Sequence, residues 1–225
     1  MRNTELAIGE YYHVFNRGVD RQTLFHNDGD FERFLLLLHF CNQEDRLSRD
    51  ILRTTPSVVL KEKRLVAICS YVIMPNHFHM KLKQVKENGI QRFLQRFQMA
   101  YAKYFNTLHE RRGTLFESAY RCVHICRESQ WFHLTNYIHL NPLDLSGILW
   151  REGVSKEWPK AKTFLDVYSW SSYHAFRGQL ERVPILDEQY LKERAPDPLE
   201  YLKEMEEWVG RMALTFDIPG GSFDE

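Results

Sequence analysis

Short apolar runs and helical periodicities alternate along this chain in a readable order. Residues 10 to 16 (Glu-Tyr-Tyr-His-Val-Phe-Asn) read as a strand that Arg17-Gly18 ends. Asn27, Asp28 and Asp30 offer caps for a helix in which Phe31, Phe34, Leu35 and Leu38 recur at helical spacing toward residue 44. Residues 45 to 63 are charged and irregular around Pro56, and read as a helix end and a loop. Residues 64 to 74 form a strongly apolar strand. Pro75-Asn76 turns the chain, and His77 to Lys83 alternates as the second strand of a hairpin. Ile90, Phe93, Leu94, Phe97, Tyr101, Tyr104, Phe105 and Leu108 mark one face of a long helix. After a turn at Arg112-Gly113, residues 120 to 126 give a fourth strand. Ser129 is read as the cap of a further helix that Pro142 stops after Leu140.

The order β-α-β-β-α-β followed by a helix predicts an α+β fold. Its centre is a ferredoxin-like antiparallel sheet with two helices on one face. The other face is left to bind something or to be covered by the later helix. Residues 143 to 184 read as a loop-rich extension and 187 to 213 as one or two acidic helices. The expected division is a domain over 1–184 and an acidic helical extension over 185–225.

Composition changes this picture in two places. At 225 residues and 44% hydrophobic content the chain can bury a sizeable core, and it holds no apolar run of transmembrane length. Met1 to Glu10 lacks the apolar stretch of a signal peptide, and Cys41, Cys69, Cys122 and Cys126 make no CxxC pair. A reduced, cytoplasmic protein with no membrane partner is the expectation. The net charge is zero, but it is unevenly spread. Residues 81 to 127 carry ten Lys or Arg against three acids, and residues 181 to 225 carry five against twelve. A basic middle is thus masked by an acidic end, which is expected to cover a cationic groove until nucleic acid displaces it.

Two short segments carry chemistry. In His77-Phe78-His79, strand alternation sends both imidazoles to one face with their Cα atoms about 7 Å apart, close enough to share an ion. In Tyr137-Ile138-His139-Leu140-Asn141-Pro142, helical spacing sends Tyr137 and Asn141 to one side. An amide oxygen there would complete a hard-metal site one turn from a phenol. Alone, each segment is common in proteins. Cys122, His124 and Cys126 alternate on one strand, but three ligands on a straight strand cannot wrap an ion tetrahedrally. Tyr101 and Tyr104 are read as core.

Together with three further blocks, these segments resemble the REP-associated tyrosine transposases of the HUH single-strand transposase superfamily. Tyr12-His13-Val14-Phe15-Asn16-Arg17-Gly18 is similar to the family's first strand, and Met74-Pro75-Asn76-His77-Phe78-His79 to its His-hydrophobic-His signature. Gly113-Thr114-Leu115-Phe116-Glu117 resembles the segment before its last strand. Tyr137 to Pro142 resembles its Tyr-Ile-x-x-Asn-Pro box, and Tyr168-Ser169-Trp170-Ser171-Ser172-Tyr173 its trailing motif. The blocks span residues 10 to 176 in the family's order. Ala119 departs from it, since a basic residue is common there.

The resemblance implies a metal-dependent single-stranded DNA endonuclease and strand transferase. Tyr137 would be the nucleophile, forming a 5′-phosphotyrosine and a free 3′-hydroxyl. His77, His79 and Asn141 would hold Mg²⁺ or Mn²⁺, oxygen donors favouring a hard ion. A phenol ionises near pH 10 and needs the metal or a base to become nucleophilic. The implied partner is single-stranded DNA bearing a REP-like hairpin. The resemblance leaves both a monomer and a homodimer open. Arg17, Lys81, Lys83, Arg92, Arg96 and Arg121 are candidate DNA contacts, Lys81 and Lys83 sharing the strand face of the two histidines. The rival reading is a non-catalytic single-stranded nucleic-acid-binding module on the same ferredoxin-like core, although the third strand carries histidines where an RNA-recognition module carries aromatics. A third reading is a metal-dependent hydrolase with a bystander tyrosine.

Overall fold

A computed structural model of the chain describes residues 6–44, 63–152 and 157–211. The irregular stretch expected after residue 44 falls almost wholly outside the described residues, as does everything past Arg211. The strands are β1 (Tyr11–Arg17), β2 (Val66–Met74), β3 (His77–Gln84) and β4 (Arg121–His124). They form one antiparallel sheet in the order β2-β3-β1-β4. Helices α1 (Asp28–Cys41) and α2 (Gly89–Leu108) follow β1 and β3. The expected ferredoxin-like α+β core is therefore present.

Local chemistry starts these elements where the pattern placed them. The Asn27 side chain accepts from the Asp30 amide to cap α1. Phe31, Phe34, Leu35 and Leu38 of α1 and Ile90, Phe93, Leu94, Phe97, Tyr101 and Phe105 of α2 are buried in one core. Tyr104 lies at its margin, where its hydroxyl donates to Asp30 (2.9 Å), and Leu108 is exposed. From the sheet, Tyr12, Val14, Ile68, Phe78, Met80 and Leu82 close this core.

The opposite sheet face is covered, not open. Helices α3 (Glu128–Leu140), α4 (Trp158–Val167), α5 (Tyr173–Phe176), α6 (Glu188–Arg194) and α7 (Pro198–Arg211) supply its second core. The stretch expected to be loop-rich thus contains α4 and α5. It read as loop because α4 is short and buries only Trp158, Ala161 and Leu165, too few positions to set a period. Residues 170–172 lie along the outer edge of β2: Ile73 donates to the Trp170 carbonyl (2.9 Å), and Ser172 to that of Tyr71 (3.0 Å). That pairing removes an exposed sheet edge. Past residue 184, Tyr190, Tyr201, Met205 and Val209 are buried in the second core. Among the described residues no helix is long and apolar enough to cross a membrane.

Gly89 sits where α2 begins, and a Cβ there would lie 2.2 Å from the Leu65 carbonyl oxygen. Gly89→Ala is expected to destabilise the fold by about 1–3 kcal/mol, lowering Tm by roughly 2–12 °C. Gly210→Ala, facing open space on α7, should not lower Tm. Equal melting of the two variants would show that the contact at Leu65 is unimportant.

Glu181 accepts from the Leu186 amide (3.2 Å), and burial pushes its carboxyl up to about 7 from an ordinary 4.5. A carboxyl raised in the folded state stabilises below the unfolded pKa, and that contribution is lost as pH rises through 7. Glu181→Gln should therefore gain stability relative to the parent between about pH 5 and 8, by at most about 1.4 kcal/mol per pH unit. Urea titrations across that range give the sign; a flat difference would mean that the carboxyl is not desolvated.

Candidate active site

The pleat of β3 builds the site. Phe78, Met80 and Leu82 are at most 1% exposed against α1 and α2, so His77, His79 and Lys81 emerge on the α3 face. In β1, Phe15 pairs with His79, Arg17 with His77 and His13 with Lys81. Paired residues share a face, so His13 and Phe15 stand beside the two histidines. The His13 and His79 rings stack at 5.2 Å, with His13 Nε2 and His79 Nδ1 3.0 Å apart.

Helix α3 brings the phenol and the amide. Its N-cap is Arg127, not Ser129: the Gln130 side chain accepts from the Arg127 and Cys126 amides (3.3 and 3.2 Å), starting the helix earlier than the serine suggested. Leu134 and Ile138 are buried in the second core. Tyr137 and Asn141 lie one turn apart, and Pro142 opens a 3₁₀ turn over Asn141–Leu145. The Tyr137 ring stands edge-on to His79 (5.4 Å) and to His13 (6.3 Å). Trp150 packs against it at 5.8 Å, and Tyr137 is only 1% exposed. Asn141 Oδ1 lies 3.2 Å from His77 Nε2.

Hydrogen bonds orient the two imidazoles. His77 Nδ1 donates to Asn76 Oδ1 (2.7 Å), whose amide nitrogen donates to the Arg21 carbonyl. His77 Nε2 then faces Asn141 Oδ1. Asn141 Nδ2 is buried with no hydrogen-bond partner, so the protein does not saturate this amide. Burial, with the charges of His77, His13 and Arg151 adding to it, holds His79 well below the ordinary histidine range, so it stays neutral. Asn76 and His13 act as outer partners that orient the two rings. Among the described residues no three His, Cys, Asp or Glu side chains form a metal-holding group. The donor set here is instead two imidazoles and an amide, and it fits a divalent ion.

No family model and no curated protein matches the chain. It is similar to a solved structure of a REP-associated tyrosine transposase bound to a REP hairpin. Identity is 12% and the TM-score 0.47, over 83% of this chain and 93% of that one. A likeness at this level does not assign chemistry, which rests on the side chains.

The expected DNA contacts scatter. Arg17 and Arg121 lie on the histidine face by register, Arg17 bound to Glu117 at 2.6 Å. Lys83 shares the face at the far end of β3, its amine over the Tyr11 ring at 5.4 Å. Lys81 does not reach the surface. It is fully buried, bonds Thr135 Oγ1 and the Trp131 carbonyl, and sits 3.7 Å from the Trp131 ring centre. Desolvation pulls its amine down to about 7, so it fastens α3 to the sheet and is not placed to bind phosphate. Arg92 and Arg96 are on α2, across the sheet from the histidines, and Arg96 binds the carbonyls of Gln43 and Glu44. Reading the sequence missed His13, Asp144, Trp150 and Arg151. Only His13 left a signal, since the alternation that pairs β1 with β3 puts it on the same face.

A second buried histidine ties α3 down. The network assigns Tyr201 as donor to His139 Nδ1, and His139 Nε2 as donor to Ser172 Oγ (2.6 Å). Ser172 in turn accepts from the Tyr71 amide (2.8 Å) and donates to the Tyr71 carbonyl (3.1 Å). His139→Ala leaves two buried hydroxyls short of a partner and opens a cavity, an expected loss of roughly 2–4 kcal/mol by urea denaturation. A loss under about 0.5 kcal/mol would mean that this network does not hold the helix.

Proposed function

We propose that the chain is a metal-dependent single-stranded DNA endonuclease and strand transferase, similar in mechanism to the REP-associated tyrosine transposases. The supporting observation is proximity: the His79 ring lies 5.4 Å from the Tyr137 ring and 5.1 Å from the His77 ring, and His77 Nε2 lies 3.2 Å from Asn141 Oδ1. His77, His79 and Asn141 would hold Mg²⁺ or Mn²⁺, which when bound supplies a Lewis acid for the scissile phosphate. Because none of these donors carries a charge, the ion's full charge faces the substrate.

Tyr137 is the nucleophile in this reading. Its phenolic oxygen attacks phosphorus, the new P–O bond to tyrosine forms, and the bond from phosphorus to the 3′-oxygen breaks in line with it. The phenolic proton is released and the departing 3′-oxygen takes one up. The phosphotyrosine keeps the phosphodiester's energy, so a later 3′-hydroxyl can reverse the step and join strands. Hairpin-bearing single-stranded DNA is the proposed partner, with Arg17 and Arg121 as the candidate contacts nearest the histidines.

Incubation with hairpin-bearing single-stranded DNA and Mn²⁺ is expected to give an SDS-resistant protein–DNA adduct that Tyr137→Phe abolishes. A non-catalytic binding module gives no adduct in either form. A hydrolase with a bystander tyrosine cuts but leaves nothing attached. Either pattern would overturn the reading.

A further inference from the structure

Resting on the proposed nuclease reading, one cation beside the site has no role in it yet. Arg151 lies in a short 3₁₀ turn (Trp150–Glu152), and its guanidinium carbon is 5.9 Å from the centre of the Tyr137 ring and 4.5 Å from that of Trp150. The side chain is held in a two-pronged pair with Asp144, at 2.6 and 2.9 Å. That same carboxylate accepts from the Trp150 indole at 2.6 Å. Asp144 therefore pins Trp150 and Arg151, each of which lies against Tyr137.

The fork geometry matters, because a phosphodiester presents two oxygens much as a carboxylate does. The pair is not sealed: the Arg151 and Asp144 side chains are 28% and 29% exposed. A partly exposed pair contributes little to stability, so an arriving phosphate held by further contacts can displace the carboxylate. We propose that Arg151 is a phosphate-binding residue of the reaction, and that Asp144 holds it in reserve over Tyr137 until DNA takes its place. The exchange transfers no proton and makes no covalent bond. Its consequence is mechanical as well as electrostatic: when Arg151 turns to phosphate, Asp144 loses a partner and its hold on the turn that shields the phenol weakens.

The test uses the full chain and a hairpin-bearing single-stranded oligonucleotide. Binding is followed by fluorescence anisotropy in a Tyr137→Phe background, across a range of salt, and adduct formation with Mn²⁺ in the Tyr137 protein. Arg151→Ala should weaken binding about tenfold, reduce the salt slope by about one phosphate contact, and slow adduct formation roughly 100-fold. Arg151→Lys should fall between. Asp144→Asn keeps an acceptor for the Trp150 indole but releases the guanidinium. It should bind DNA more tightly than the parent, a sign that a folding defect cannot produce. The proposal fails if Arg151→Ala keeps the parent's affinity and salt slope, or if Asp144→Asn loses activity alongside it, which would make the pair a structural clip. Protein that binds DNA but never forms an adduct defeats the nuclease reading, and the salt slope still decides whether Arg151 meets phosphate.

Discussion

Burial of Phe78, Met80 and Leu82 against α1 and α2 dictates where their neighbours on β3 must point. A strand has only two faces, so filling one with apolar side chains forces His77, His79 and Lys81 onto the other. A slip of one residue would exchange the two sets and bury the histidines among phenylalanines. The register with β1 then brings His13 beside His79 and Arg17 beside His77 without further devices. The site thus depends on core packing twice over, for the strand's identity and for its phase.

The covered face mixes apolar and polar side chains, and the buried polar ones are largely uncharged. Burial keeps His79 and His139 neutral and pulls the Lys81 amine down toward 7. Neutral groups can be fully satisfied by hydrogen bonds where charges would demand partners. Lys81 reaches Thr135 and Trp131, while His139 reaches Tyr201 and Ser172, and these links hold α3 along the segment that carries Tyr137 and Asn141. Formal charge survives mainly at the rim, as the Arg17–Glu117 and Arg151–Asp144 pairs. The interior asks for no counter-ion, and Arg17 and Arg151 are each held at the rim by a carboxylate that, in the proposed reading, a substrate phosphate replaces.

Local pattern carried much of this, and its failures have a common cause. The alternation in His77 to Lys83, the apolar face of α2 and the i, i+4 spacing of Tyr137 and Asn141 are set by near neighbours, so they were legible. Strand alternation also gave the correct face for Lys81, but not what covers that face. Trp131 and Tyr190, which seal it, come from α3 and α6. Arg92 and Arg96 looked equivalent to Arg17 because helical spacing does not say on which side of a sheet a helix packs. The bonds from Ser172 to Tyr71 and from Tyr201 to His139 span 101 and 62 residues, beyond any local signal.

The acidic end of the chain shows why charge counts alone mislead about masking. Its excess of carboxylates suggested an electrostatic cover over a basic groove. The contacts that α6 and α7 make with this face are aromatic instead: Tyr190 lies over the Lys81 amine at 5.2 Å and beside Trp131 at 5.4 Å, and Tyr201 bonds His139. Met205 and Val209 are fully buried in the same core as Ile138. Hydrophobic contacts of this kind are insensitive to salt, whereas an electrostatic cover weakens as salt rises. Removing these helices would therefore unseat α3 before it exposed a groove. Trp150 and Arg151, which lie against Tyr137, are both held by the Asp144 carboxylate, and in the proposed reading access to the phenol is controlled there, where a substrate phosphate competes for Arg151.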